Sequence, residues 1–166
     1  MAFERYLDRR GTPYVAVESV RHFARRRVGL KAFDYIVYPA SERPCLVDVK
    51  GRKCSPRSGA DVRQKNWVTR GDVRGLLSWR EVFGPEYDAR FVFSYWVPEG
   101  GSPAVQGDAE LVSFAGRRYS FWLVDIEDYA GHQKRLSRSW DTVCVPRDVF
   151  RGMSRRLETC WPSAPC

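Results

Sequence analysis

Residues 45–50 read Cys-Leu-Val-Asp-Val-Lys, between a turn that ends in Pro44 and the glycine at position 51. An apolar run this short, bounded by turn residues, predicts a buried strand rather than a helix. Side chains on a strand alternate between its two faces. Cys45, Val47 and Val49 take one face, and Leu46, Asp48 and Lys50 take the other. Two opposite charges therefore share one face of an otherwise apolar strand, where charge is costly unless partnered. Residues 33–38, Phe-Asp-Tyr-Ile-Val-Tyr, predict a second strand, and residues 39–44 a turn. A turn that short pairs the two strands antiparallel. Asp34 opens its strand and Asp48 lies near the end of its own, so Asp34, Asp48 and Lys50 are expected to converge across the ladder.

Two carboxylates placed together do not both ionise comfortably without a cation. A divalent ion resolves this, and Mg²⁺ or Mn²⁺ suits oxygen ligands. Asp34, Asp48 and the backbone carbonyl of Val49 are the expected protein ligands. Such an ion polarises a phosphodiester and acidifies a bound water. Lys50 is placed to orient that water or to stabilise developing negative charge. The bland alternative is that Asp-x-Lys arises by chance and forms an ion pair of little worth.

The rest of the chain alternates helices and strands. Helices are predicted over 2–10, 69–83 and 127–133, with a final one from Pro146 as first helical residue to about Leu157. Strands are predicted over 14–18, 90–97 and 141–145, and a hairpin over 109–126 around Gly116-Arg117. A short helix and loop over 19–31 carries Arg21, Arg25, Arg26, Arg27 and Lys31. Residues 53–66 and 98–107 read as loops, and the tail from Cys160 as loose. Thr69 is the expected N-cap of its helix, with Asp72 three residues on. This alternation predicts a single mixed α/β domain over residues 1–166.

The net charge is +8, with 23 arginines against five lysines. Arginine grips phosphate and stacks on bases, which suits a nucleic-acid partner. GC-rich codon usage explains the same excess, so charge alone does not decide. Around the trio, Arg52, Lys53 and Arg57 are candidates to grip phosphate. Gln64 and Lys65 are candidates to contact the scissile group, and Trp67 to stack on a base. Core packing for Trp67 and solvated loop positions for the cations are the alternatives. Five cysteines without a C-x-x-C pair, and only His22 and His132 as histidines, argue against a zinc site and for free thiols. Ser94 and Ser120 lack the pattern of a serine hydrolase. No run approaches the roughly 20 apolar residues of a membrane span. A cytoplasmic protein without a membrane partner is expected, its oligomeric state open, a homodimer included.

The order helix, strands, helix, strand, with Asp34 and Asp48-x-Lys50, resembles the PD-(D/E)XK (restriction-endonuclease-like) nuclease superfamily over roughly residues 1–97. The resemblance implies a central mixed sheet flanked by helices, with residues 98–166 as a hairpin and helix extension packed on this core. It implies a Mg- or Mn-dependent endonuclease or exonuclease acting on DNA, or on RNA, with Asp34, Asp48 and Lys50 catalytic. A catalytically silent nucleic-acid-binding or interaction protein with the same fold is the alternative. A narrower resemblance is to a small bacterial family named for the motif His-Tyr-Glu-x-Ala-Phe-Glu (HYExAFE). Ala2-Phe3-Glu4, Tyr6-Leu7, Gly11, Pro13 to Val17, Asp34, Val47 to Arg52, Asn66-Trp67, Thr69-Arg70 and Trp140 to Val143 carry it. In related nucleases a glutamate on the first helix assists the metal. Counting back from Gly11 places that residue before Met1. Either Glu4 substitutes as a metal ligand, or the glutamate belongs to a start codon further upstream; the second is the favoured expectation.

Overall fold

The computed structural model of the protein describes residues 1–17, 31–40, 42–53, 65–98 and 110–162. In chain order its elements are α1 (Ala2–Arg10), β1 (Tyr14–Ala16), β2 (Tyr35–Val37), β3 (Cys45–Lys53), β4 (Val68–Thr69), α2 (Arg70–Phe83), β5 (Asp88–Val97) and β6 (Val112–Phe114). They continue with β7 (Arg117–Asp125), α3 (Ile126–His132), β8 (Lys134–Ser137), β9 (Thr142–Cys144), α4 (Arg147–Met153), β10 (Arg155–Arg156) and α5 (Leu157–Cys160). The predictions for 19–30, for Cys54–Gln64 and for most of the 98–107 loop lie outside the described residues, as do His22, Arg57 and Gln64.

A seven-stranded sheet runs β1-β2-β3-β5-β7-β10, with β6 also paired to β7. The β3–β5 pair is parallel and the other pairs are antiparallel. A parallel pair needs a crossover, usually helical, and α2 lies in this one. A smaller sheet, β4-β9-β8, lies apart from it in the ladder. This is the expected α/β class, a central mixed sheet flanked by helices.

Strand alternation sorts the core into two halves. Cys45, Val47, Val92, Phe121 and Leu123 face α1 and α5, against Phe3, Tyr6, Leu7, Leu157 and Trp161. Leu46, Phe91, Phe93 and Val124 face α2, α3 and α4, against Val73, Leu76, Tyr129 and Phe150. α1 buries Ala2, Phe3, Tyr6 and Leu7, a one-sided stripe at helical spacing, and stops at Gly11 with φ 60°. The β6–β7 hairpin turns at Ala115 and Gly116, both with positive φ, as a tight hairpin requires.

The C-terminal helix departs from expectation. Pro146 is the N-cap rather than the first helical residue, and α4 ends at Met153. Ser154 is extended, and Arg155 and Arg156 pair with Leu123 and Trp122 on the edge of β7. The reason is topological. Phe150 packs in one half of the core while Leu157, Cys160 and Trp161 pack in the other. A straight helix cannot serve both faces, so the chain crosses at the sheet edge and covers it. The loose tail is also corrected at its start, because Cys160 and Trp161 are buried and the Trp161 indole donates to Glu42.

Asn66 anchors the small sheet. Its side chain is fully buried, donates to the Val145 carbonyl at 3.0 Å and accepts from the Val145 N–H at 2.9 Å. Tyr129 donates to the Asn66 carbonyl at 2.7 Å. Asn66→Ala leaves both backbone groups of Val145 unpaired in the interior. The expected cost is about 3 kcal/mol, read as a fall in melting temperature of about 5–10 °C.

Candidate active site

The candidate site lies midway along β3. The β2–β3 ladder ends where Tyr35 stands opposite Val47, and Asp34 lies just beyond that last rung. The Asp34 N–H donates to the Val47 carbonyl at 2.9 Å, and its carboxylate accepts the Val49 N–H at 2.9 Å. The side chain thereby replaces the next rung of the ladder just before β2 begins. The N–H and C=O of a strand residue point to the same side, so the Val49 carbonyl faces this edge as well.

Asp34, Asp48, Val49 and Lys50 line one cavity of about 400 Å³, together with Lys31, Ala32 and Asp72. The ammonium of Lys50 lies 2.8 Å from Asp48 and 3.2 Å from Asp72. Burial drives the Asp48 carboxyl up to about 7; Asp34 and Asp72 add to the rise and Lys50 opposes it. For Asp72 burial also favours the neutral form. Lys50, Lys31 and the Thr69 donors overcome it and hold the group down at about 2.

Asp72 was legible only as part of a helix cap. One of its oxygens does that work, accepting the Thr69 N–H and hydroxyl at 2.7 Å each, while the Thr69 hydroxyl accepts the Asp72 N–H at 3.1 Å. Its other oxygen takes Lys31 at 2.9 Å and Lys50 at 3.2 Å. A capping carboxylate has a second oxygen, and that was the signal available in the sequence. The contribution of Asp72 to stability is fully present above the ordinary carboxylate range and is lost as pH falls through about 2. Acid titration of the melting temperature is expected to show this arm, worth about 2 kcal/mol, and Asp72→Asn to remove it.

The remaining sequence candidates fall in different places. Glu4 does not line the cavity. It rides on α1, across the sheet from Asp48 and Lys50, where it accepts from the Tyr35 hydroxyl at 3.0 Å and pairs with the N-terminal ammonium. Glu4 is thus not brought into the cavity: the face that α1 covers is the face Asp48 does not use. Arg52 does share the face of Asp48 and Lys50, but its guanidinium is engaged. It donates to the Gly51 and Trp67 carbonyls and stacks 4.1 Å from the Trp67 ring. Trp67 keeps 42% exposure, so it is not a core residue. Lys53 lies over Trp96, and Lys65 donates to the Lys53 carbonyl at 2.7 Å. His132 touches the Asp128 carbonyl on its own helix.

The donor chemistry fits a hard divalent ion. Three carboxylates and two ammoniums line the cavity, and the whole chain is otherwise strongly basic. A buried carboxyl driven up to about 7 is a group that a cation would ionise. Among the described residues no three His, Cys, Asp or Glu side chains form a ready cage. The fitting set is Asp34, Asp48 and the Val49 carbonyl completed by water, as Mg²⁺ tolerates. Among the described residues no helix is long and apolar enough to cross a membrane.

No protein-family model matches the chain, and no curated protein matches it. Among solved structures it is similar to Hjc of Archaeoglobus fulgidus, a Holliday junction resolvase from an archaeal hyperthermophile. The TM-score is 0.53 at 11% sequence identity, over 99% of this chain and 93% of that chain. At that identity the likeness shows the fold, which is restriction-endonuclease-like.

Proposed function

We propose that this protein is a metal-dependent nuclease that hydrolyses phosphodiester bonds in DNA. The observation that carries the reading is the convergence of Asp34, Asp48 and Lys50 in one cavity midway along β3. The fold shared with a Holliday junction resolvase supports it. Asp34, Asp48 and the Val49 carbonyl would hold Mg²⁺ or Mn²⁺. The ion, when bound, supplies Lewis-acid activation of the phosphodiester and acidification of water. Lys50 holds its ammonium beside Asp48, where it would donate to a non-bridging oxygen and stabilise the charge that develops there. Asp48 keeps Lys50 in place, and Asp34 ties the cavity edge to the β3 backbone. Ala2-Phe3-Glu4 and Val47 to Arg52 are the residues by which we place the chain beside the HYExAFE family.

One observation favours a second reading, a nucleic-acid-binding module that does not cut. Glu4 is held across the sheet, and Asp72, the third carboxylate of the cavity, is engaged by Thr69, Lys31 and Lys50, which leaves Asp34 and Asp48 for the ion. Linear, nicked, four-way and single-stranded DNA, and RNA, incubated with Mg²⁺, with Mn²⁺ or with chelator, separate the readings. Cleavage that needs the ion supports the nuclease. Binding with no cleavage under any condition selects the module, and neither binding nor cleavage sinks both.

A further inference from the structure

We infer that Lys31 is a second phosphate-binding cation of this cavity, positioned by α2 to grip the phosphate beside the one being cleaved. The inference rests on the nuclease reading and adds a substrate contact to it. Lys50 lies deep, with only 15% of its side chain exposed, next to Asp48. Lys31 sits at the mouth, with 52% of its side chain exposed. Both ammoniums meet the same oxygen of Asp72. They form a pair of positive charges at two depths, and Asp72 sets the spacing between them. A DNA strand entering the cavity presents successive phosphates, and two cations at two depths match two of them.

The backbone of Lys31 is fixed to α2 in a way that a solvated lysine does not need. The Trp79 indole donates to the Lys31 carbonyl at 3.0 Å. Gly75 leaves room for that carbonyl: a Cβ there would stand 2.8 Å from it. The side chain is then aimed by Thr69, whose hydroxyl lies 2.8 Å from the ammonium, and by Asp72 at 2.9 Å. Four residues of one helix and its cap thus set both ends of Lys31. Asp72, Thr69, Gly75 and Trp79 are positioning residues in this scheme, and Lys31 is the group that meets substrate.

The test compares wild type with Lys31→Gln, Lys31→Arg and Gly75→Ala on linear duplex and single-stranded DNA. Glutamine keeps a hydrogen bond to Asp72 or Thr69 and removes the charge, so a purely structural role would survive it. Steady-state cleavage is measured with Mg²⁺, and equilibrium binding across a KCl series. Lys31→Gln is expected to raise KM about tenfold, with a smaller change in kcat. It should also reduce the slope of log affinity against log salt by about one. Lys31→Arg restores both quantities, and Gly75→Ala shifts KM in the direction of Lys31→Gln by displacing the lysine backbone. Wild-type KM and salt slope in Lys31→Gln, with a wild-type protein that cuts, overturn the inference and leave the nuclease reading standing. A wild-type protein that neither binds nor cuts DNA overturns both.

Discussion

Asp48→Asn is expected to abolish metal-dependent DNA cleavage and, at the same time, to make the metal-free protein more stable. The two effects share one cause. Asp48 is 6% exposed, and burial lifts its carboxyl to about 7. Between the ordinary carboxylate range and pH 7 the folded protein holds a proton that the unfolded chain has released. Stability of the metal-free protein therefore falls as pH rises across that window. Asparagine has no charge to bury. At pH 8 the variant should gain on the order of 2–4 kcal/mol, or about 5–10 °C in melting temperature. The gain should vanish below pH 4, where both side chains are neutral. Mg²⁺ or Mn²⁺ should raise the melting temperature of wild type, by about 2.7 kcal/mol at a hundred times the dissociation constant, and leave Asp48→Asn unmoved. A variant that still cuts, or that responds to the ion like wild type, removes Asp48 from the site. Equal melting temperatures at pH 8 would show that Asp48 does not carry its charge at the expense of the fold.

Asp48 was legible in the sequence because strand alternation is a strict rule. Once residues 45–50 form a strand, Asp48 and Lys50 must share a face, and the short turn at 39–44 then brings Asp34 to the same cavity. The helix of 2–10 and the helix after Thr69 followed from equally local signals, a one-sided apolar stripe and a capping box. Long-range placement was not legible in the same way. Asp72 and Lys31 reach the cavity only because β3 and β5 pair in parallel with α2 between them. Nothing local in Gly71-Asp72-Val73 announces that crossover. Glu4 shows the same limit. The family resemblance implied a first-helix acid near the metal, either Glu4 or a residue before Met1, and the sequence did not reveal that α1 packs on the face where Cys45, Val47 and Val92 lie. The break between α4 and α5 was hidden for a similar reason. Helical spacing continues through Ser154, and only the need to cross a sheet edge interrupts it.

Lys50→Ala carries the second large effect, and its sign on stability is the reverse of that for Asp48→Asn. The ammonium stands between two carboxylates, 2.8 Å from Asp48 and 3.2 Å from Asp72, and lies over the Phe91 ring at 5.7 Å. Removing it loses the cation proposed to meet the transition state, so kcat should fall about 10²–10³-fold. It also leaves Asp48 buried without its nearest positive charge. Breaking one side of a buried ion pair costs about 3–5 kcal/mol; Asp72 retains Lys31, so the lower end of that range is expected. Asp48 can escape part of the cost by staying protonated, and the loss should therefore be larger at pH 9 than at pH 6. A divalent ion supplies charge to the same carboxylate, so Mg²⁺ should stabilise Lys50→Ala more than it stabilises wild type. Lys50→Arg should recover most of the stability and little of the rate, because a planar guanidinium does not occupy the place of a compact ammonium. Thermal melts at the two pH values, with and without Mg²⁺, read the first set of effects, and single-turnover cleavage reads the second. Wild-type rates in Lys50→Ala would leave the Asp48–Lys50 pair a structural ion pair and return the β3 edge to a binding role.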